Sequence, residues 1–133
     1  MELLYADQFS VNYYDDGCAM ISIRDSGRFL VVPEQGTQPE GLPEDVTVLR
    51  QPIKNIYLVA TSAMDLFKSL DAMDRITLSG TDAQGWYIEE ARQALEDGGM
   101  FYAGKYNAPD YELILSKSCG LAIESSLISH SPE

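Results

Sequence analysis

The side chains able to do chemistry in this chain sit in four short stretches, not in one compact catalytic motif. Thr61-Ser62, Gln84-Gly85-Trp86-Tyr87, Gly104-Lys105-Tyr106-Asn107 and Glu124-Ser125 offer an indole, two phenols, hydroxyls, amides, a carboxylate and one ammonium. That mixture suits holding a sizeable ligand by stacking and hydrogen bonds, and it contains no evident general base. The blander reading of Trp86 and Tyr87 is that they pack a helix on a sheet. The single histidine, His130, cannot form a multi-histidine metal site. Ser125 and Ser126 lack the Gly-x-Ser-x-Gly elbow of a hydrolase, and only His130 follows them. Gly80-Thr-Asp-Ala-Gln-Gly85 matches neither phosphate-binding glycine fingerprint. Asp15 with Asp16, Glu89 with Glu90, and Glu96 with Asp97 are adjacent carboxylates. On a helix, neighbours point roughly 100° apart, so such pairs do not share a proton. The sequence therefore predicts a binding protein, with no catalytic residues, resident metal or cofactor.

The elements that must position these loops are organised around Ile56-Tyr-Leu-Val-Ala60, an apolar run with the composition of a strand buried on both faces. Thr61 or Ser62 is expected to cap the following helix, whose apolar face is read as Ala63, Leu66, Phe67 and Leu70. Alternation of strand and helix then continues. Ile76–Ser79 is a strand, and Trp86–Leu95 a helix with Ile88, Ala91, Ala94 and Leu95 on one face. Met100–Ala103 is a short strand. Pro109 opens a helix running to Lys117, and Gly120–Glu124 is the last strand. Each of the four loops lies at the carboxyl end of a strand, where open α/β sheets bind ligands.

Before this region the pattern has period two. Phe9–Tyr14, Ala19–Arg24 and Arg28–Val32, separated by Asp15-Asp-Gly17 and Asp25-Ser-Gly27, read as an antiparallel β-meander. Pro33–Asp45, with its three Pro and two Gly, reads as an exposed loop and not a domain linker, because the meander looks too small to hold a core alone. Val46–Leu49 is a short strand. The predicted fold class is α/β: a three-layer sandwich with a mainly parallel sheet, preceded by the meander packed at one edge. Residues 1–50 supply the meander and loop and 51–133 the α/β core, together one lobe of a two-lobed protein.

The chain has 133 residues, with 45% hydrophobic and 23% charged, as in a globular domain. Its formal charge of −12 repels phosphate backbones and argues against a nucleic-acid partner. No run approaches the roughly 18 apolar residues of a membrane span. Cys18 and Cys119 sit in no paired motif, and the expectation is two free thiols with Cys119 buried beside a strand.

Three stretches carry a family resemblance: Asn55-Ile-Tyr-Leu-Val-Ala-Thr-Ser-Ala-Met-Asp-Leu, Gly104-Lys-Tyr-Asn-Ala-Pro-Asp-Tyr-Glu-Leu-Ile-Leu and Cys119-Gly-Leu-Ala-Ile-Glu. They resemble the amino-terminal lobe of periplasmic-binding proteins for iron–siderophore, haem and cobalamin complexes, the solute receptors of ABC importers. The likeness implies that Thr61, Ser62, the Trp86–Tyr87 loop and the Lys105–Tyr106 loop line one wall of a cleft, with the strand ending at Glu124–Ser125 beside them. It also implies that Glu112, by position alone a solvated helix carboxylate, docks on an arginine of the membrane permease. The expected partners are then a metal-chelate small molecule, an ABC permease and a missing carboxyl-terminal lobe. The expected location is the outer face of the cell membrane, with a lipid anchor on the full-length protein. The sequence stops before the family's connecting helix and second lobe, and this half has no metal-ligand set, which suits a chelated metal better than a free ion. The alternatives are a sensory or interaction module using the same lobe, and an α/β enzyme domain.

Overall fold

A computed structural model describes residues 7–125. The chain is mixed α/β, and it divides at Pro52/Ile53 into two compact units.

In the amino-terminal unit, the strands β1 (Phe9–Tyr13), β2 (Ala19–Ile23), β3 (Gly27–Val32) and β4 (Val46–Arg50) form one sheet in that order. The first two pairings are antiparallel hairpins, as the period-two pattern predicts, while β4 lies parallel to β3. Gly17 and Gly27 hold φ of +83° and +114°, a backbone region that L side chains disfavour, so glycine suits both turns. Cys18, Leu30 and Val32 are buried together, and Met20, Val46, Val48 and Leu42 from the long loop pack on them. The expectation that this segment has no core of its own is thereby corrected. The Pro33–Asp45 loop returns a fourth strand and lays Leu42 against the Cys18, Leu30 and Val32 cluster. Arg28 also grips Asp45 through two hydrogen bonds, of 2.8 and 2.6 Å, which ties the start of β3 to the start of β4.

In the carboxyl-terminal unit, β5 (Ile56–Leu58), β6 (Ile76–Ser79), β7 (Phe101–Tyr102) and β10 (Leu121–Ile123) form an all-parallel sheet in the order β10-β5-β6-β7. The helices α1 (Met64–Ser69), α2 (Glu89–Glu96) and α3 (Tyr111–Ser116) connect these strands, and a small hairpin of β8 (Gly104–Lys105) and β9 (Ala108–Pro109) precedes α3. The central strand β5 is buried throughout, but it covers only the first three residues of the predicted run; Val59 and Ala60 follow it and are half-buried. Its alternate residues enter different clusters. Ile56 and Leu58 join Met64 of α1 and Ala91 of α2, while Tyr57 joins Leu78 and Ala103, against which Leu113 and Ile114 of α3 pack.

The second helix follows its predicted face: Ala91 is buried, and Ile88, Ala94 and Leu95 pack on the core. The first helix follows its predicted face in part: Ala63 and Phe67 pack on the core as expected, but Met64 is buried beside them while Leu66 and Leu70 are 65% and 76% exposed. A 3-10 turn at Thr61–Ala63 starts the segment and leads directly into the six-residue helix. Neither Thr61 nor Ser62 caps it: the flanking positions are Ala60 and Ala63, with no side-chain cap bond. Pro109 is likewise not the first helical residue. It belongs to β9, and Asp110 caps α3 by accepting a hydrogen bond from the Leu113 N–H at 3.0 Å.

Candidate functional site

A parallel sheet releases every strand's following loop from the same end, so chain direction alone brings the four polar stretches to one edge of the carboxyl-terminal unit. At the centre, β5 and β10 finish together. The N–H groups of Val59 and Ala60 both donate to the Ile123 carbonyl, at 2.9 and 3.1 Å, so Thr61-Ser62 and Glu124-Ser125 leave the sheet side by side. All four residues are exposed. This is also where the strand order reverses: from β5 the chain goes first to β6 on one side and returns last to β10 on the other.

The loop after β6 is built from inside. Gly80 donates to the Leu58 carbonyl at 2.8 Å, and a Cβ there would lie 3.0 Å from the Val59 Cα, a close approach that glycine permits. The buried Ser79 hydroxyl donates to the Thr81 carbonyl and accepts from the Thr81 N–H. Trp86 completes this knot. Its Nε1–H lies 3.0 Å from Ser79 Oγ and 3.1 Å from the Thr81 carbonyl, and the residue is only 4% exposed. The Trp86 carbonyl in turn accepts from Arg92 on α2 at 2.9 Å. Trp86 thus presents no stacking ring to solvent; it is a core residue whose polar edge fixes the Thr81–Gly85 turn. Tyr87, one position on, is wholly exposed. The predicted helix start at Trp86 lies three residues early, since α2 begins at Glu89 and Asp82 closes the intervening 3-10 turn by accepting from the Gly85 N–H.

Beyond β7, the Ala103 N–H donates to the Ser79 carbonyl at 2.9 Å and the chain turns into the β8–β9 hairpin, which carries Lys105 and Tyr106. Both are exposed, Tyr106 by 45%. Gly104 has φ +83°, and a Cβ built there would collide with the Ala108 carbonyl, so the base of the hairpin demands glycine. From beneath, the Tyr57 hydroxyl donates to the Gly104 carbonyl at 2.9 Å. Burial, with the Glu124 carboxylate as the next cause, pushes that phenol up to about 12, so it stays a protonated donor across the neutral range. Sequence reading missed Tyr57 because it sits inside an apolar strand. The available signal was a phenol in a run of aliphatic residues, since a buried hydroxyl needs a partner.

Glu112 is exposed in the first turn of α3, next to the Asp110 cap and between exposed Tyr111 and Leu115. Among the described residues, no three His, Cys, Asp or Glu side chains converge as metal ligands. Cys18 and Cys119 are free thiols, the first fully buried and the second partly so. Burial and the Asp16 carboxylate raise the Cys18 thiol above its usual range. Ser126 and His130 lie outside the described residues.

The edge therefore offers hydroxyls at Thr61, Ser62 and Ser125, a carboxylate at Glu124, an ammonium at Lys105 and the phenols of Tyr87 and Tyr106. These groups can exchange hydrogen bonds and charge with a polar ligand. No protein-family profile, curated protein or solved structure compared with this chain matches it.

Proposed function

We propose that the carboxyl-terminal unit forms the ligand wall of a solute receptor serving an ABC importer, and that the cargo is a metal chelate of the siderophore, haem or corrinoid kind. The observation that carries this reading is the parallel order β10-β5-β6-β7 with its switch point at the ends of β5 and β10. That order gathers Thr61, Ser62, Lys105, Tyr106, Glu124 and Ser125 at one edge. A chelate is the fitting class because it brings its own metal ligands, so the protein needs only aromatic, hydroxyl and amide partners. The division of core residues, with α1 and α2 in one cluster and α3 in the other, supports the three-layer sandwich of such a lobe.

In this reading a second lobe encloses the other side of the cargo, and this chain alone binds weakly because half the ligand surface stays wet. Titration of the chain, and of the same chain joined to its second lobe, with ferric siderophores, haemin and cobalamin tests it. Weak binding by the chain and tighter binding by the two-lobed protein is the expected result. No binding of any of the three by the two-lobed protein overturns the reading.

Glu112 is assigned to docking on a basic permease residue. Its exposure in the first turn of α3 means that Glu112→Gln changes folding stability by no more than about 0.5 kcal/mol. Uptake by proteoliposomes or cells is expected to fall while solution affinity for the cargo is kept. Unchanged uptake removes Glu112 from that role.

A further inference from the structure

The Lys105–Tyr106 hairpin is the least self-sufficient part of the candidate wall. Its ladder consists of two residue pairs, Gly104 with Pro109 and Lys105 with Ala108. An isolated two-stranded hairpin is at best marginally stable in water, and Pro109 contributes no N–H to the ladder. Something outside the hairpin must fix its direction. Three hydrogen bonds hold its base: the Ala103 N–H reaches the Ser79 carbonyl of β6 at 2.9 Å, the Asp110 N–H reaches the Ala103 carbonyl at 2.8 Å, and the Tyr57 hydroxyl reaches the Gly104 carbonyl at 2.9 Å. The first two fix and close the neck that precedes the hairpin. Among the described residues, the third is the bond that joins the hairpin itself to the central strand, across 47 positions of sequence.

We infer that Tyr57 is a positioning residue for ligand binding: its buried hydroxyl latches the Gly104 carbonyl and so sets the orientation in which the β8–β9 hairpin presents Lys105 and Tyr106 at the sheet edge. The ring supports this because it cannot drift. Tyr57 is 3% exposed and packed with Leu78 and Ala103, so its oxygen is delivered to one place by β5 itself. The acceptor position demands glycine, because Gly104 holds φ +83° and lies too close to Ala108 for any side chain. A donor fixed by the core therefore holds the base of the loop that carries the site's ammonium at Lys105 and one of its two phenols.

The ligand part of this inference rests on the receptor reading above; the latch does not, and the experiment separates them. Amide hydrogen exchange is measured in the wild type, in Tyr57→Phe and in Gly104→Ala, which disturbs the same joint from the other side. Loss of one hydrogen bond corresponds to about a three- to ten-fold change in the local opening equilibrium. Exchange at the amides of Lys105–Ala108 in Tyr57→Phe should rise by about that factor, while Val59 and Gly80, bonded to carbonyls at the sheet's edge, stay within about two-fold of the wild type. A role confined to overall stability would raise all of these amides together and overturns the latch, as does unchanged exchange at Lys105–Ala108. The two-lobed protein carrying Tyr57→Phe is then titrated with haemin, cobalamin and a ferric siderophore, and the expected result is a three- to ten-fold weaker affinity for the cargo that the wild type binds. A mobile hairpin with unchanged affinity overturns the positioning role. Absence of binding by the wild type overturns both the receptor reading and this ligand role, and the exchange data still decide whether Tyr57 holds the hairpin.

Discussion

In the amino-terminal unit the first three strands run back and forth, so the two turns between them fall at opposite ends of the sheet. In the carboxyl-terminal unit β5, β6, β7 and β10 all run one way, so every following loop leaves from the same edge. The cores differ accordingly. Among the described residues, the first sheet has one buried cluster, made by Cys18, Leu30 and Val32, whereas the second has two, with successive residues of β5 divided between them. Antiparallel hairpins need little beyond short turns and alternation. Parallel strands need crossover helices, which bury both faces of the sheet and leave polar chemistry only at the strand ends. That is why the candidate site belongs to the second unit, and why its loops converge although they are far apart in sequence.

The largest effect that would sharpen this contrast is at the centre of the parallel sheet. Leu58 is wholly buried, and Leu58→Ala should cost about 3–5 kcal/mol in urea unfolding. Leu30→Ala, in the smaller cluster of the first unit, should fall nearer about 2–3 kcal/mol because a three-residue cluster collapses more readily around the gap. Leu66→Ala, at a 65% exposed position, should stay within about 0.5 kcal/mol. Equal costs at Leu30 and Leu58 would break the comparison.

Trp86→Phe comes next. It keeps most of the apolar ring but removes the donor shared by Ser79 Oγ and the Thr81 carbonyl, and should cost about 1–3 kcal/mol. Under the proposed receptor reading, ligand affinity should change through the Thr81–Gly85 turn and not through lost stacking. Fluorescence quenching of Trp86 by added acrylamide should accordingly be weak, and strong quenching would contradict its buried position.

Alkaline pH separates the units in another way. The folded Tyr57 phenol is raised to about 12 from an ordinary value of 10.0. A raised folded value contributes stability that is fully present below the unfolded value and is lost as pH climbs through the folded one. Urea midpoints should therefore fall between about pH 10 and pH 12, and Tyr57→Phe should blunt that fall. In the first unit the Arg28 guanidinium holds the Asp45 carboxyl below its ordinary 3.8. Its contribution is present above that value and fades as pH falls through the lower folded one. Both groups are exposed, so Asp45→Asn should give the smallest effect of the set, reduced further by salt.

Much of this plan was legible in the residues. Gly17 and Gly27 mark turns, β5 is an unbroken apolar run, and the 3.6-residue spacing of Ile88, Ala91 and Leu95 gives the buried face of α2. The face of the first helix was legible only at Ala63 and Phe67, because six residues are too few for periodicity to fix a phase, and Leu66 and Leu70 are left exposed. The carboxyl ends of α2 and α3 fall within a residue of the expected Leu95 and Lys117, although no glycine closes α3. Asp71 and Ser118 instead take φ of +52° after α1 and α3. Ala72 then donates back to Phe67, and Cys119 to Ile114, in Schellman-type closures. For the candidate site, strand ends located the loops, but composition could not separate Trp86 from Tyr87. The two are neighbours with similar rings, and only the partners waiting at Ser79 and Thr81 draw one inward.

The central claim is that the carboxyl edge of the parallel sheet is where cargo binds. The most direct test is an NMR titration of the isotope-labelled chain with a ferric siderophore, haemin and cobalamin, each replaced where needed by its diamagnetic gallium, zinc or cobalt(III) form. The expected result is that one of these moves the amide signals of Thr61, Ser62, Lys105, Tyr106, Glu124 and Ser125 while those of β1 to β4 stay in place. Shifts confined to the amino-terminal sheet, or none at this edge with any of the three, would contradict it.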